Sequence, residues 1–447
     1  MLQPTSLSLE NIPENLRTPA LEIVARLDAA GHRTYFAGGS VRDLLLGRPI
    51  SDIDIATDAP PERIAELFAH TLSVGAQFGV MIVVTPGASY EVATFRNDGA
   101  YLDGRRPSEV RFGSEQDDAA RRDFTINGLF LDPRSGQVID HVGGLADLGS
   151  RTLRAIGDAN RRFAEDKLRL LRAVRFACNL GFEIEASTLA AIQRLAAGIN
   201  QVSRERVRDE LNRMLVGAHP ARALEIMQST GLLAQVLPEV DRMVGVTQPP
   251  EFHPEGDVFV HTCLMFRLSP RRSATLGWGI LLHDVGKPPT RVVKERIRFD
   301  GHVEIGARMA ADIGRGLRLA SGEIEQVVDL VDNHLRFMHV TEMRESKLKR
   351  FLRKENFAEH LELHRLDCLA SHGDLTNYDF CRARLAELST EQMAPPRLLS
   401  GDDLIELGYA AGPLFRTILE HVEDAQLEGA LPDKTAALVW VRVHFPR

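Results

Sequence analysis

Cysteine is scarce in this chain. Cys178, Cys263, Cys368 and Cys381 are the four cysteines among 447 residues, and no two are close enough in sequence to make a metal-type pair. That excludes a disulfide framework and, with the size, predicts a reducing, intracellular setting. No apolar run approaches the roughly 20 residues that a bilayer span needs. The N-terminal stretch MLQPTSLSLENIPENL lacks the basic and apolar regions of a signal peptide. These absences predict a cytoplasmic protein with no membrane partner. Fixed-period repeats and low-complexity segments are missing too. So is a basic excess: the net charge is −8, which taken alone argues against a nucleic-acid binder. The distribution says more than the sum. From Arg151 to Arg213 there are 13 Lys+Arg against 8 Asp+Glu, a balance of +5. Such a surface can hold a phosphate backbone, although a solvated helical face of mixed charge gives the same count.

Composition is that of a globular protein, with 44% hydrophobic and 26% charged residues. At roughly 150 residues per domain, the length suggests about three folding units. Residues 11–30 read as an amphipathic helix, so 1–30 is set apart as an N-terminal helix. Residues 31–148 mix short apolar strands with turns (YFAGGSV, SDIDIAT, GVMIVVTPG, YEVATFR), an α+β head. After Gly149 strands give way to Leu, Ala, Arg and Glu at helical spacing. This predicts a helical neck at 149–215, a helical body at 216–395 and a helical tail at 396–447, with breaks at TQPPEFHPEGD and MAPPR.

The segment GRPISDIDIATD places Asp52 and Asp54 in what reads as a strand, where Asp is disfavoured. Positions two apart share a face, so the two carboxylates repel unless a cation lies between them. Just upstream, FAGGSVRDLLLG ends a strand at Gly38-Gly39 and begins a helix near Ser40. Backbone N–H groups at such a helix start suit a phosphate, and Arg42 in the first turn adds a charge. Paired hard carboxylates can hold two Mg²⁺ for an in-line displacement at phosphorus.

GGSVRDLLLGRPISDID resembles the catalytic signature of the class II tRNA nucleotidyltransferase and bacterial poly(A) polymerase family, within the polymerase-beta-like superfamily. Three ordered segments extend the resemblance: Asp118-Ala-Ala-Arg-Arg-Asp123 followed by FTINGLF, GGLADLGSRTLRAIGD, and Glu165-Asp166-Lys-Leu-Arg169. It implies that Asp52 and Asp54 are catalytic and hold Mg²⁺. It also implies that Gly39, Arg42 and Arg122 contact the nucleotide. Glu91 in YEVATFR is a candidate third acid, though a solvent-facing strand residue is an equal explanation.

Asp166, Arg169, Arg172 and Arg175 recur every three residues in DKLRLLRAVRF and predict a slanted ridge on one helix. An i,i+3 salt bridge alone accounts for Asp166 with Arg169. The functional reading is base-edge recognition. Cytosine and adenine each offer an amino donor beside a ring-nitrogen acceptor, which a carboxylate and a guanidinium complement. The family resemblance implies that Asp166 and Arg169 select CTP and ATP, with Arg172 and Arg175 supporting the pocket. The polar segment Arg96–Pro107 reads as a loop; its presence resembles enzymes that add A.

Further on come His261, His283-Asp284 in LLHDVGKP, and Asp367. His and Asp from several helices can converge on one divalent metal. The ordered set resembles the HD phosphohydrolase superfamily, which implies Mn²⁺, Ni²⁺ or Mg²⁺ at this site and water attack on a phosphoester. His302 and His334 lie between as weaker candidates. The resemblances together imply template-independent addition of CCA to tRNA 3′ ends from CTP and ATP. An A-adding enzyme or a poly(A) polymerase shares the same head motifs. A phosphohydrolase whose head only binds RNA is the alternative of another class.

Overall fold

The structure is a computed structural model that describes residues 7–73, 79–99, 110–251 and 253–446. It divides into two compact units, Met1–Pro238 and Glu239–Arg447, where length alone suggested three. Segments 220–229 and 232–236 belong to the first unit rather than to the body that the sequence pattern begins at 216.

The first unit opens with α1 (Glu14–Ala29), which buries Ala20, Ile23, Val24 and Leu27. The chain then alternates β1 (Thr34–Ala37), α2 (Gly39–Leu45), β2 (Asp54–Thr57), α3 (Pro61–Leu67), β3 (Thr71–Leu72), β4 (Val80–Thr85) and β5 (Ala88–Thr94). β6 (Arg96–Asp98) pairs separately with β7 (Val110–Phe112); α4 (Glu115–Ala120), β8 (Leu129–Leu131), β9 (Val138–Asp140) and α5 (Gly144–Gly149) complete the head. Seven strands form one mixed sheet in the order β3-β4-β5-β2-β1-β8-β9. Its central strands are buried, and Phe130, Tyr35 and Phe95 pack together with ring centroids 5.9–6.2 Å apart, Tyr35 stacked on Phe95 and Phe130 edge-on to Phe95.

Two registers place the chemistry. Ala37 at the end of β1 faces Asp54 at the start of β2. β2 runs parallel to β5 with Ile55 opposite Val92, so Glu91 falls beside Asp54 at the same sheet end. The strand begins at Asp54. Asp52 therefore precedes the strand on an exposed, extended segment instead of lying within it.

Helices follow: α6 (Ala159–Glu165), α7 (Arg169–Leu180), α8 (Ala186–Leu195), α9 (Arg204–Leu215), α10 (Pro220–Ser229) and α11 (Leu232–Val236). The helix expected to begin at Asp166 in fact begins at Arg169. Asp166 has extended backbone (φ −137°, ψ 106°), and its carboxylate accepts from the Leu168 N–H at 3.1 Å. That local turn competes with helix and separates α6 from α7. The neck is helical apart from a parallel two-residue ladder between Thr152–Leu153 and Glu183–Ile184. α10 is tied to this region by Arg222, which donates to the Phe182 carbonyl at 2.9 Å.

The second unit is built of helices with one short ladder, Val292–Val293 against Ile297–Arg298. Helix Val258–Leu268 is capped by Asp257, and helix Ala274–Leu282 by Ser273. Gly286 follows the second of these. A Cβ there would come within 2.1 Å of the His302 carbonyl oxygen, so glycine lets helix His302–Gly316 lie against the His283-Asp284 turn. The tail has its own apolar cluster, including Leu404, Ile418, Val422 and Val441. No helix among the described residues is long and apolar enough to cross a membrane.

Candidate functional sites

A cavity of 520 Å³ in the first unit gathers Gly38, Gly39, Arg42, Asp52, Asp54, Arg122, Asp166, Arg169 and Arg172 along its walls. Residues more than a hundred positions apart thus share one cleft. β1, β2 and α2 supply the carboxylates and the glycine turn, and the α6–α7 break supplies the Asp166 edge.

The carboxylate end is electrostatically strained. Burial, reinforced by the neighbouring Glu91 and Asp52 charges, raises Asp54 to a pKa of about 6 against the weaker pull of Arg122 and Arg42. Among the described residues no basic group lies within 4 Å of Asp52 or Asp54. An oxygen-only donor set with uncompensated charge fits a hard divalent cation. Gly38 has φ +70°, and a Cβ there would meet Arg122 Nη1 at 2.8 Å and Asp54 Oδ2 at 3.5 Å. Only glycine lets the Arg122 guanidinium and the Asp54 carboxylate approach this turn.

The arginines are held by acids in and around the cleft wall. Arg122 pairs with buried Asp118 at 2.9 Å and donates to the Asn127 carbonyl at 3.1 Å. Arg42 donates to the Asn127 side-chain oxygen at 2.5 Å and pairs with Asp43 at 2.7 Å. Arg172 pairs with Asp123 through two nitrogens at 2.8 and 2.6 Å. Burial opposes ionisation of Asp123, but Arg172 and the Asn127 amide hold its carboxyl well below the usual range. The guanidinium carbons of Arg42, Arg172 and Arg175 lie 5.1, 5.2 and 4.0 Å from the centre of the Phe176 ring. That is cation–π packing around one buried aromatic side chain.

Asp166 and Arg169 line the cleft; the Arg169 N–H donates to the Asp166 carbonyl at 3.0 Å, while their side chains take separate partners. Asp166 receives Arg206 at 2.8 and 3.2 Å, and Arg169 is fixed by Glu165 at 3.0 Å and by the carbonyls of Arg162 and Arg121. Arg175 is not in the cleft wall; it pairs with buried Glu210 at 2.5 Å. Arg206, Asp123 and Asn127 escaped the sequence reading. Arg206 and Asp123 stand in quoted or nearby segments, but only the fold pairs them with Asp166 and Arg172. Of the Arg96–Pro107 segment, residues 100–107 lie outside the described residues.

The second unit brings His261, His283, Asp284 and Asp367 together, and adds His302, His334, His253 and Glu255. His261 Nε2 is 3.1 Å from Asp367, and its Nδ1 is 2.6 Å from Glu255, which also receives His253 at 2.9 Å. Burial alone would lower His261, yet the Asp367 and Glu255 carboxylates lift its pKa to about 9, so positive charge is favoured at this spot. Burial would likewise raise Asp284, but His283 and Lys287 hold it well below the usual range. His283, His302 and His334 each direct Nδ1 at a backbone carbonyl, at 2.9, 2.8 and 2.7 Å. A carbonyl only accepts, so each Nδ1 carries a proton, and the Nε2 of His302 and His334 is left with a lone pair; His283 Nε2 lies 3.2 Å from Asp284. All three Nε2 atoms are buried without a hydrogen-bond partner. Inward lone pairs fixed by backbone carbonyls are what a divalent metal requires of histidine. His253 and Glu255 lie in the segment read only as a helix break; their His-x-Glu spacing before His261 was the available signal.

Comparison with known proteins agrees in order and extent. Residues 34–154 match the Poly A polymerase head domain, residues 181–244 the family described as "Probable RNA and SrmB- binding site of polymerase A", and residues 258–369 the HD domain. The chain is 33% identical over 434 residues to a CCA-adding enzyme of Lactobacillus gasseri, covering 97% of this chain and 98% of that protein. A CCA-adding enzyme of Geobacillus stearothermophilus is 46% identical over 216 residues, covering 48% of this chain and 53% of that one. Among solved structures, the Bacillus stearothermophilus CCA-adding enzyme in complex with CTP superposes with a TM-score of 0.72 at 28% identity, covering 97% and 98% of the two chains. A Thermotoga maritima CCA-adding enzyme complexed with tRNA shares the fold with a TM-score of 0.61 at 18% identity, covering 97% of each.

Proposed function

The chain belongs to the CCA-adding enzymes, the class II tRNA nucleotidyltransferases, and from that premise we propose how its residues add C, C and A to tRNA 3′ ends from CTP and ATP. The observation that carries the reading is the single cleft joining Asp52 and Asp54 to Asp166 and Arg169. Asp52 and Asp54, with Glu91 beside them, would hold Mg²⁺, which when bound neutralises the triphosphate and acidifies the attacking 3′-hydroxyl. Gly38, Gly39 and Arg42 receive phosphate oxygens at the α2 N-terminus, and Arg122 adds charge from the other wall. The Asp166 carboxylate accepts from the exocyclic amine of cytosine or adenine while Arg169 donates to the ring nitrogen. Guanine and uracil present a carbonyl where that amine should be and leave the carboxylate unpaired, which is costly in a partly buried site. Arg206 holds Asp166, Glu165 holds Arg169, and Asp123 with Arg172 braces the base-binding wall. Arg175 acts from behind, through Phe176 and Glu210. The natural setting is the cytoplasm.

A second activity rests on the inward lone pairs of the second unit. His261, His283, Asp284 and Asp367 would hold a divalent ion, Mn²⁺, Ni²⁺ or Mg²⁺, which when bound activates water against a phosphoester such as an RNA 2′,3′-cyclic end. Lys287, next to Asp284, faces the same cavity and suits the anionic substrate.

The test offers tRNA transcripts ending before CCA, after C and after CC, with each NTP alone and together. Sequential C, C, A is the expected product pattern. Growth only from CC would indicate an A-adding enzyme, and long A tails on generic RNA a poly(A) polymerase.

A further inference from the structure

Arg162 is not part of the cleft wall, yet its guanidinium ties together the elements that form it. From α6 it donates Nη2–H to the Ala120 carbonyl at 2.6 Å, Nη1–H to the Arg121 carbonyl at 3.1 Å and Nε–H to the Ile156 carbonyl at 3.2 Å. Nη1 also meets Glu165 at 2.9 Å. Arg169 shares two of these acceptors. Its Nη2–H donates to the Arg121 carbonyl at 3.1 Å, and its Nη1 is 3.0 Å from the same Glu165 oxygen. The Ala120 and Arg121 carbonyls close the end of α4, whose buried Asp118 grips Arg122 at 2.9 Å. We propose that Arg162 is a positioning residue that couples base selection to phosphate binding, by fastening the Glu165–Arg169 pair to the end of the helix that orients Arg122.

The last carbonyls of a helix have no partner within it. At α4 they are met by arginines 41 to 48 positions further along the chain, so its last turn is held from outside. A guanidinium carries five N–H donors in a fixed fork. Arg169 directs three of them at the Arg162 carbonyl, the Arg121 carbonyl and Glu165. Nε–H and one Nη2–H remain for the cleft, and their direction is set by the same carbonyl and carboxylate that Arg162 holds. The Arg162 and Glu165 side chains are 13% and 14% exposed, so bulk water is poorly placed to replace a lost bond. Lysine could keep the charge beside Glu165. One ammonium on a flexible stem cannot reach three carbonyls and a carboxylate in fixed geometry. The shared acceptors form a continuous chain of bonds from Arg169 through Arg162 to α4, Asp118 and Arg122. Such contiguous networks carry coupling between sites.

The inference rests on the reading of Asp166 and Arg169 as the base edge, which the parent chain's own preference for CTP over UTP tests by itself. With the full chain and a tRNA transcript ending before CCA, kcat and KM are measured for each nucleotide. Arg162→Met keeps the length of the side chain and removes every donor. The CTP:UTP ratio of kcat/KM should fall about tenfold, and kcat for CTP should fall with it while KM for tRNA stays unchanged. Arg162→Lys should show a smaller fall in both readings. In an Arg169→Ala background, Arg162→Met should cause no further loss of discrimination, because the link it serves is already gone. An unchanged ratio beside a lowered melting temperature makes Arg162 a brace and overturns the proposal. Full additivity in the Arg169→Ala background overturns it too. A lowered ratio with kcat unaltered confines Arg162 to the base edge and overturns the coupling. A parent chain that incorporates UTP as readily as CTP overturns the base-edge reading, and this proposal with it. Where Arg162→Met fails to fold, Arg162→Lys decides by the same ratio, and parent-like discrimination overturns the proposal.

Discussion

The two acidic sites solve opposite electrostatic problems. In the first unit, Asp52, Asp54 and Glu91 crowd at one end of a sheet, without a basic group within 4 Å of either aspartate among the described residues. Asp54 is consequently driven up to about 6. In the second unit the two aspartates of the cluster are each met by imidazole or ammonium: Asp367 by His261, Asp284 by His283 and Lys287. Both of these acids are held below their usual range. The head carries a charge deficit that arriving substrate and its cation relieve, as a polymerase site that must bind and release triphosphate requires. The second site is largely buried and mixed in nitrogen and oxygen, which suits a resident ion. Similar residue types thus serve transient or standing metal binding according to what surrounds them.

The strongest way to break this comparison is to exchange losses between the sites. Asp54→Ala should lower the rate of nucleotide addition by about 10³-fold or more, roughly 4 kcal/mol of transition-state stabilisation, and leave Mn²⁺ content in the second unit unchanged. Asp284→Asn should do the reverse, abolishing cyclic-phosphate hydrolysis while C and A addition persist. Parallel loss of both activities in either variant would mean that the sites do not act independently. Next in size is Phe176→Ala. Removing a buried ring, 8% exposed, from beneath three guanidinium groups should cost about 3 kcal/mol, read as a fall in melting temperature of about 10 °C.

The pH dependence sharpens the contrast because the signs differ. Asp54 has a folded pKa of about 6 against 3.8 for the free side chain. Its favourable contribution is complete below 3.8 and is lost as pH rises through about 6. Asp54→Asn should therefore stabilise the metal-free chain near neutral pH by about 3 kcal/mol, a gain that fades on acidification. Asp367 is depressed, so its contribution is present above about 3.8 and is lost as pH falls further. Asp367→Asn should destabilise the chain near neutral pH, and the difference should shrink in acid. Thermal unfolding of the two variants across pH reads both slopes; slopes of the same sign would refute the contrast. The smallest effect expected is at Arg206. Arg206→Ala frees the Asp166 carboxylate and should reduce discrimination of CTP over UTP by about tenfold, near 1.4 kcal/mol, measured as the ratio of kcat/KM values. Arg206→Lys should recover only part of it, because the two-nitrogen contact is lost.

Much of the catalytic head was legible because its information is local. Gly-Gly-Ser, Arg42 and the Asp52/Asp54 spacing occupy one short segment, and the Glu165–Arg169 motif another. The His and Asp set of the second unit was legible in order, as His261, His283-Asp284 and Asp367 along the chain. What escaped were the partners: Asp123 for Arg172, Arg206 for Asp166, Glu210 for Arg175, Glu255 for His261. Arg206 and Glu210 are ordinary charged residues in sequence, and nothing in their own neighbourhood marks them; Asp123 stands in a motif that does not disclose its partner, and the His-x-Glu spacing of Glu255 does not disclose His261. The helix expected from Asp166 begins only at Arg169, because an Asp side chain bonding a nearby N–H competes with the helix that periodicity favours.

By itself, then, the sequence determined which chemistry this chain can carry: paired hard carboxylates, a carboxylate–guanidinium edge for a base, and a histidine–aspartate set for a metal. It also determined where strands give way to helices, since side-chain periodicity is a property of consecutive residues. The tertiary structure alone decided which groups meet. The pairing of β1 with β2 and of β2 with β5 brings Ala37 and Glu91 to Asp54, and the close approach allowed at Gly286 turns His302 toward one oxygen of Asp284 while His283 holds the other. Register and close packing are settled by contacts between residues far apart in the chain, and a spacing pattern along the chain contains no term for them.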